Sequence, residues 1–399
     1  MNSLWLSHFT ATSSIGRGLD QTLAALRQRR AGLVPCAFDS VDLATFIGKV
    51  PGVDAVPLPA QLADFDCRNN RLALLGLTQD GFAEAVHAAI EKYGAQRVGV
   101  FLGTSTSGIL QAELAYRRRD PVTGALPAGF IYRTTHNTFS VADFTRLYFG
   151  LSGPAVAVSS ACSSSAKVFG SARRMMEAGL IDAAVVGGVD SLCLTTLYGF
   201  NSLGLVSEQA CRPFDAQRNG ISIGEAAAFA LLERSPEHLD ADAVLLLGIG
   251  ESSDAYHMSS PHPDGLGARM AMQAALNMAG LKPAGIDYIN LHGTATQSND
   301  AAEGKAVAAV FGPDIPCSST KGATGHTLGA AGGVEAVICA LALQHGLLPA
   351  GLNTQQLDST LDLDYVLENR EQPVTRVLSN SFGFGGTNCS LIFGRAGNP

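Results

Sequence analysis

Short apolar runs that close in a glycine- and hydroxyl-rich turn and then pass into helical periodicity recur along this chain, and they restrict it to a layered α/β fold. "RVGVFLGTSTSG" (97–108) reads as a strand and a glycine-rich turn, and "DAAVVGGVDSL" (182–192) as a further strand. The polar stretch "SPEHLDADA" (235–243), with Pro236, is a junction candidate, which predicts two halves, 1–240 and 241–399. Past it come the strand "VLLLGIG", the amphipathic helix "ARMAMQAALNMAGLK" closed by Gly280, the strand and polar loop "IDYINLHGTAT", and a loop feeding a long helix, "CSSTKGATGHTLGAAGGVEAVICALALQHG". "RVLSNSFGFGGTNCSLIFG" reads as two strands joined by glycines. Segments 112–145 and 251–268 are polar or irregular and long enough to be functional loops.

Composition removes several function classes. With 46% hydrophobic and 16% charged residues, 399 residues can bury a large core. A net charge of −8 leaves no domain-wide basic excess for nucleic acid. Eight cysteines without CxxC spacing and nine scattered histidines indicate neither a metal site nor a disulfide framework, and reduced thiols suit the cytoplasm. The first positive charge is Arg17 and no signal peptide is expected. The most apolar region, 328–352, carries Glu335, His345 and several glycines, so it reads as a buried helix and not a membrane span.

"SSACSSSAKVFG" sets Cys162 among five serines. Upstream, "PAVAVSSA" reads as a short buried strand. Downstream, Ala166, Phe169, Ala172, Met175 and Met176 fall at helical spacing, with serines able to cap the start and Gly179 the end. Cys162 is thus expected on a strand-to-helix turn, where unpaired N–H groups and the helix dipole would lower its thiol pKa. Two further strand ends carry polar residues: His292 in "NLHGTAT", and Lys321 and His326 in "TKGATGH". A lone cysteine or histidine is more often structural, but three such turns together point to chemistry. A lysine near a buried helix start needs a partner, and Glu335 is the nearest carboxylate in sequence.

Taken together, "SSACSSSA", "RPFDAQRNGISIGEAAA", "DAYHMSSPHPDG", "NLHGTAT", "STKGATGHTLGAAG" and "SNSFGFGGTN" give a chain that resembles, over nearly its whole length, the elongating β-ketoacyl-acyl-carrier-protein synthases of the thiolase-fold condensing enzymes. The amino terminus lacks the family's usual glycine-bearing start, and "RNGISIGEAAA" replaces its commoner motif, which sets the chain apart from the primary fatty-acid enzymes. "RNN", "GTSTSG" and "GFNSL" look most like ketosynthases of aryl-polyene pathways.

The resemblance implies a duplicated αβαβα thiolase fold with two five-stranded mixed sheets, working as a homodimer or as a heterodimer with a related ketosynthase-like subunit. It implies that Cys162 takes an acyl group from a thioester, that the backbone N–H groups of Cys162 and Phe384 form an oxyanion hole, and that His292 and His326 stabilise the enolate formed when malonyl-carrier protein loses carbon dioxide. Lys321, paired with Glu335, would support the histidines. Thr294 and Thr296 would contact the phosphopantetheine arm that enters with the substrate, no other cofactor being needed, and Asn388 would line the site. Thr106 would line the acyl tunnel, and Arg68, Arg71 and Arg117 would dock an acidic acyl carrier protein; neither nucleic acid nor membrane is an expected partner. Two other readings compete: a non-catalytic chain-length-factor-like subunit, which would lose the nucleophile, and a thiolase-like acyltransferase, for which Cys389 would be the second, basic cysteine.

Overall fold

In the computed structural model, which describes residues 3–397, two sets of strands carry the same order. The first half supplies β1 (Leu4–Ser13), helix α1 (Arg68–Leu77), β2 (Val98–Gly103), α2 (Ile109–Arg117), β3 (Ala155–Val158), α3 (Ser164–Glu177), β4 (Ala183–Asp190), α4 (Leu194–Ser202) and β5 (Ala226–Arg234). The second supplies β6 (Val244–Ser253), α5 (Leu266–Ala279), β7 (Tyr288–Asn290), α6 (Gln297–Phe311), β8 (Pro316–Ser318), α7 (Ala331–His345), β9 (Arg376–Gly383) and β10 (Thr387–Arg395). Strand order is β1-β5-β4-β2-β3 in one half and β6-β10-β9-β7-β8 in the other. In both, the first two pairings are antiparallel and the last two are parallel. Antiparallel pairing of Leu4–Leu6 with Val244–Leu246 joins the sets into one sheet of 12 strands, counting short extensions.

Three cores make the layers. The central core packs α3 and α7 against each other and against strands of both halves, and separate cores lie under the outer helices of each half. This is the duplicated αβαβα thiolase fold. Helix α7 has no polar face: Ala331 through Leu343 are all buried, so its apolar run is that of a core helix. The central helices approach closely at their starts. A Cβ on Gly332 would lie 2.7 Å from both the Cβ and the backbone nitrogen of Ala166, and the N–H of neighbouring Gly333 donates to the Ser165 hydroxyl at 2.9 Å.

Three local expectations change. The strand before Cys162 spans only Ala155–Val158 and is half-buried, because β3 is the last strand of its half and has a neighbour on one side only. The serines after it do not cap α3: the hydroxyls of Ser163 and Ser164 turn back to the carbonyls of Ser160 and Ala161. Segment 112–145 is not one loop, since α2 and a helix at Ser140–Tyr148 flank its irregular middle.

Candidate active site

Duplication places equivalent turns face to face. Cys162 lies between β3 and α3, His326 at the matching place between β8 and α7, and His292 follows β7. Ala161, just before the cysteine, is held at φ 51°, a conformation costly for a residue with a side chain. The result is a buried constellation in which Cys162 Sγ lies 3.0 Å from His326 Nε2 and the two imidazole rings sit edge to face, 5.3 Å apart. The Phe384–Gly386 turn between β9 and β10 brings the backbone N–H of Phe384 near Cys162, where it pulls the thiol pKa down.

Lys321 sits behind the histidines. Its side chain is 2% exposed, and its Nζ donates to the His292 carbonyl at 2.5 Å, lies 3.4 Å from His292 Nδ1 and is paired with Glu335 on α7. An ammonium against Nδ1 leaves the His292 proton on Nε2, so this imidazole is a hydrogen-bond donor toward the site. Cys162, His292 and His326 offer atoms within 4.8 Å of one another. With His292 protonated on its site-facing nitrogen and a lysine behind it, that set does not suit a metal cation; it suits developing negative charge.

The thiol does not behave as the turn suggested. Burial pushes Cys162 up to about 12, against the smaller downward pull of Lys321 and the Phe384 N–H. The local dipole is real, but the site is dry, and desolvation of a thiolate outweighs it. Cys162 therefore rests as a thiol, and His326 Nε2 is placed to take its proton during attack. Burial holds both imidazoles well below the usual histidine range, helped at His292 by Lys321 and His326 and at His326 by Lys321. His326 is thus neutral across the physiological range. Acyl transfer to Cys162 should show no acid limb at the ordinary imidazole value near 6.5; a pH–rate profile with a limb there would contradict this assignment.

Two spaces meet at Cys162. A narrow channel is lined by Thr294, Thr296, His292, Asn388 and, from segment 254–265, Asp254 and Ser259. Thr296 caps α6 and shares a 3.0 Å hydrogen bond with Thr294, while Asn388 Nδ2 donates to Asp254 Oδ1 at 2.9 Å. A wider cavity of about 480 Å³ lies on the other side of Cys162, walled by α4, Ser105, Ile109, Leu328 and Phe384.

Several expected site residues lie elsewhere. Thr106 is not in the cavity wall: its hydroxyl and N–H both go to the buried carboxylate of Asp190, at 3.0 and 2.9 Å, and Ser105 faces the cavity in its place. Arg68 is 3% exposed and cannot meet a carrier protein, because its guanidinium grips both oxygens of buried Glu225 at 2.9 and 2.6 Å and also reaches Asp54. Arg71 is tied to Asp66, with 27% of its side chain exposed; Arg117, paired with Asp39, is more open. Cys389 lies in the central core, and strand alternation turns it away from the face Asn388 presents to the site, so it cannot act as a second, basic cysteine. Sequence reasoning missed Asp254, Ser105 and Asp190, and above all Glu303 on α6, which accepts the N–H groups of His292 and Gly293, each at 2.8 Å, and so fixes the histidine turn. Its signal was the Asp300–Glu303 spacing, two carboxylates on one helix face after a polar loop.

Thiol, paired imidazoles and buried lysine on a duplicated thiolase fold define a condensing acyltransferase. The chain belongs to the β-ketoacyl synthase family: residues 62–238 match the family's N-terminal domain and 243–355 its C-terminal domain. It is 32% identical to 3-oxoacyl-[acyl-carrier-protein] synthase 2 of Vibrio cholerae, over 96% of each chain. Among solved structures it resembles the ketosynthase ApeO in complex with its chain length factor ApeC from Xenorhabdus doucetiae, with 37% identity, a TM-score of 0.90 and coverage of 99% of this chain and 98% of that one. The ishigamide ketosynthase/chain length factor is similar at 27% identity and a TM-score of 0.89, covering 99% of this chain and all of that one. The protein is accordingly an enzyme, a ketosynthase that carries out β-ketoacyl-acyl-carrier-protein synthesis.

Proposed function

We propose that this ketosynthase extends an unsaturated or aryl-capped acyl chain in an aryl-polyene type of pathway in the cytoplasm, working beside a related ketosynthase-like subunit. The observation that carries the catalytic assignment is the 3.0 Å contact between Cys162 Sγ and His326 Nε2, with His292 alongside. The thiol attacks an acyl thioester delivered by a carrier protein, its proton passes to His326, and the carrier's pantetheine thiol leaves with a proton. Malonyl-carrier protein then loses carbon dioxide, and the electron pair left behind is held as an enolate by hydrogen bonds from the Nε2–H of His292 and from His326, whose neutral ring has by then shifted its proton from Nδ1 to Nε2. The enolate carbon attacks the Cys162 thioester, whose oxygen is met by the N–H groups of Cys162 and Phe384; the C–S bond breaks, the β-ketoacyl product leaves on the carrier, and the Cys162 thiolate takes up one proton from solvent, the one proton that the overall reaction consumes. Thr294, Thr296 and Asn388 line the narrow channel where the pantetheine arm would lie. The divided chain, 1–240 carrying the nucleophile and 241–399 the histidines, makes the joint between halves the reacting surface.

For the partner, support comes from the two ketosynthase structures with chain length factors and from β3, whose outer edge pairs with no strand among the described residues. For the chain type, support comes from the motifs "RNN", "GTSTSG" and "GFNSL" and from the wide cavity. A panel of carrier-bound acyl groups tests it: unsaturated or ring-bearing acyl groups should load Cys162 and be extended faster than long saturated ones, and the reverse order would reject the pathway assignment. For docking, Arg117 and Arg71 remain as surface cations. Arg117→Glu should raise KM for carrier-bound substrate in a salt-dependent way and spare small pantetheine thioesters. Arg68→Ala should instead cost about 3–5 kcal/mol of stability by stranding Glu225, read from the denaturation midpoint; a selective KM effect at Arg68 would contradict the structure.

A further inference from the structure

Helix α4 carries in its interior a glycine that neither backbone nor packing requires. Gly199 lies inside Leu194–Ser202, where glycine destabilises by about 1 kcal/mol relative to alanine. Its φ is not in the left-handed region, and a Cβ built on it meets nothing within 4 Å. Other glycines near the site behave differently. At Gly103 a Cβ would lie 2.3 Å from the Ser165 nitrogen, and at Gly329 2.7 Å from the Ser105 nitrogen, so glycine is imposed there by close approach.

Gly199 borders the cavity behind Cys162, together with Thr195, Thr196, Phe200 and Ser202 of the same helix and Leu203 at its end; Thr195, Gly199, Ser202 and Leu203 are exposed, so this wall lies on the open side of the cavity. Positions 195, 199 and 202 repeat at helical spacing, so one face of α4 forms the wall, and Gly199 is a gap at its middle. The wall is also anchored. Glu113 on α2 accepts the N–H groups of Leu194 and Thr195 at 3.0 and 2.7 Å and the Thr195 hydroxyl at 2.6 Å, gripping the first turn of α4. With the helix pinned, the width of the cavity is set by the side chains it carries. A missing side chain in mid-wall adds width beside the chain, which a slender saturated acyl group does not need and a ring or rigid conjugated segment does.

We propose that Gly199 is a specificity-determining residue of the acyl cavity, its absent side chain making room for a broad acyl group. This rests on the ketosynthase reading, and the experiment separates the two. Gly199→Ala, Gly199→Leu and Gly199→Phe are compared with wild type for transfer of acetyl and of a ring-bearing acyl group, cinnamoyl, from carrier protein to Cys162. The ratio of kcat/KM for cinnamoyl over acetyl should fall by about tenfold or more in the Leu and Phe variants, the scale of a pocket filled by a few methylenes. Gly199→Ala should raise the denaturation midpoint, since nothing in the fold needs the glycine. An unchanged ratio, a lowered midpoint in Gly199→Ala, or an altered native mass in Gly199→Phe, which would assign the glycine to subunit packing, would each overturn the proposal. Wild type that fails to load even acetyl on Cys162 would instead sink the ketosynthase reading itself.

Discussion

Cys162→Ser is expected to lower acyl-enzyme formation by roughly 10³-fold or more, within the range that matching a group to its base contributes. Burial raises the thiol to about 12, so in the proposed mechanism even the native nucleophile relies on transfer of its proton to His326 at 3.0 Å. A serine hydroxyl begins several units further from ionisation, in the same dry site, against the same weakly basic imidazole. The geometry is retained and the proton transfer becomes uphill. Intact mass after exposure to acyl-carrier protein measures it; rapid and complete acylation of the variant would show that the thiol is not what the site activates.

The histidines should separate. His292→Ala removes a donor that points into the site but does not touch the thiol, so decarboxylation of malonyl-carrier protein should fall by roughly 10²–10³-fold, the loss measured for one oxyanion donor, while acyl transfer to Cys162 largely survives. His326→Ala removes the only imidazole against Cys162 Sγ among the described residues, and both half-reactions should fall. Rapid-quench assay of each half-reaction gives the answer. If His326→Ala acylated normally, the thiol proton would have another acceptor; if His292→Ala released carbon dioxide at the native rate, its enolate role would be wrong.

The strand–turn–helix alternation, the three polar turns and the buried character of α7 were all legible, because each is written in periodicity within a single element. What failed depended on contacts distant in sequence. "CRNNR" looks like a solvated basic cluster until Glu225, 157 residues away, folds onto Arg68. In "GTSTSG" nothing local says which residue borders the cavity; Asp190, at the end of β4, gathers the hydroxyls of Thr104, Ser105 and Thr106 alike, and of the three only Ser105 lies at the cavity wall. The thiol pKa shows the same limit, since a helix start is visible in sequence and the depth of burial at the joint between two halves is not. Cys389 looked suggestive beside "GGTN", yet strand alternation puts it in the core.

Cys162 as the acyl carrier of a decarboxylative condensation is tested most directly by one mass-spectrometric time course. The enzyme is first loaded from an acyl-carrier protein, then given malonyl-carrier protein, with Cys162 and the carrier followed together. One acyl group should appear on the peptide bearing Cys162, and on malonyl addition it should leave that peptide as the carrier gains a β-ketoacyl group and one carbon dioxide is released per acyl group lost. An acyl label on another residue, or an acyl-Cys162 that persists while carbon dioxide is released, would contradict it.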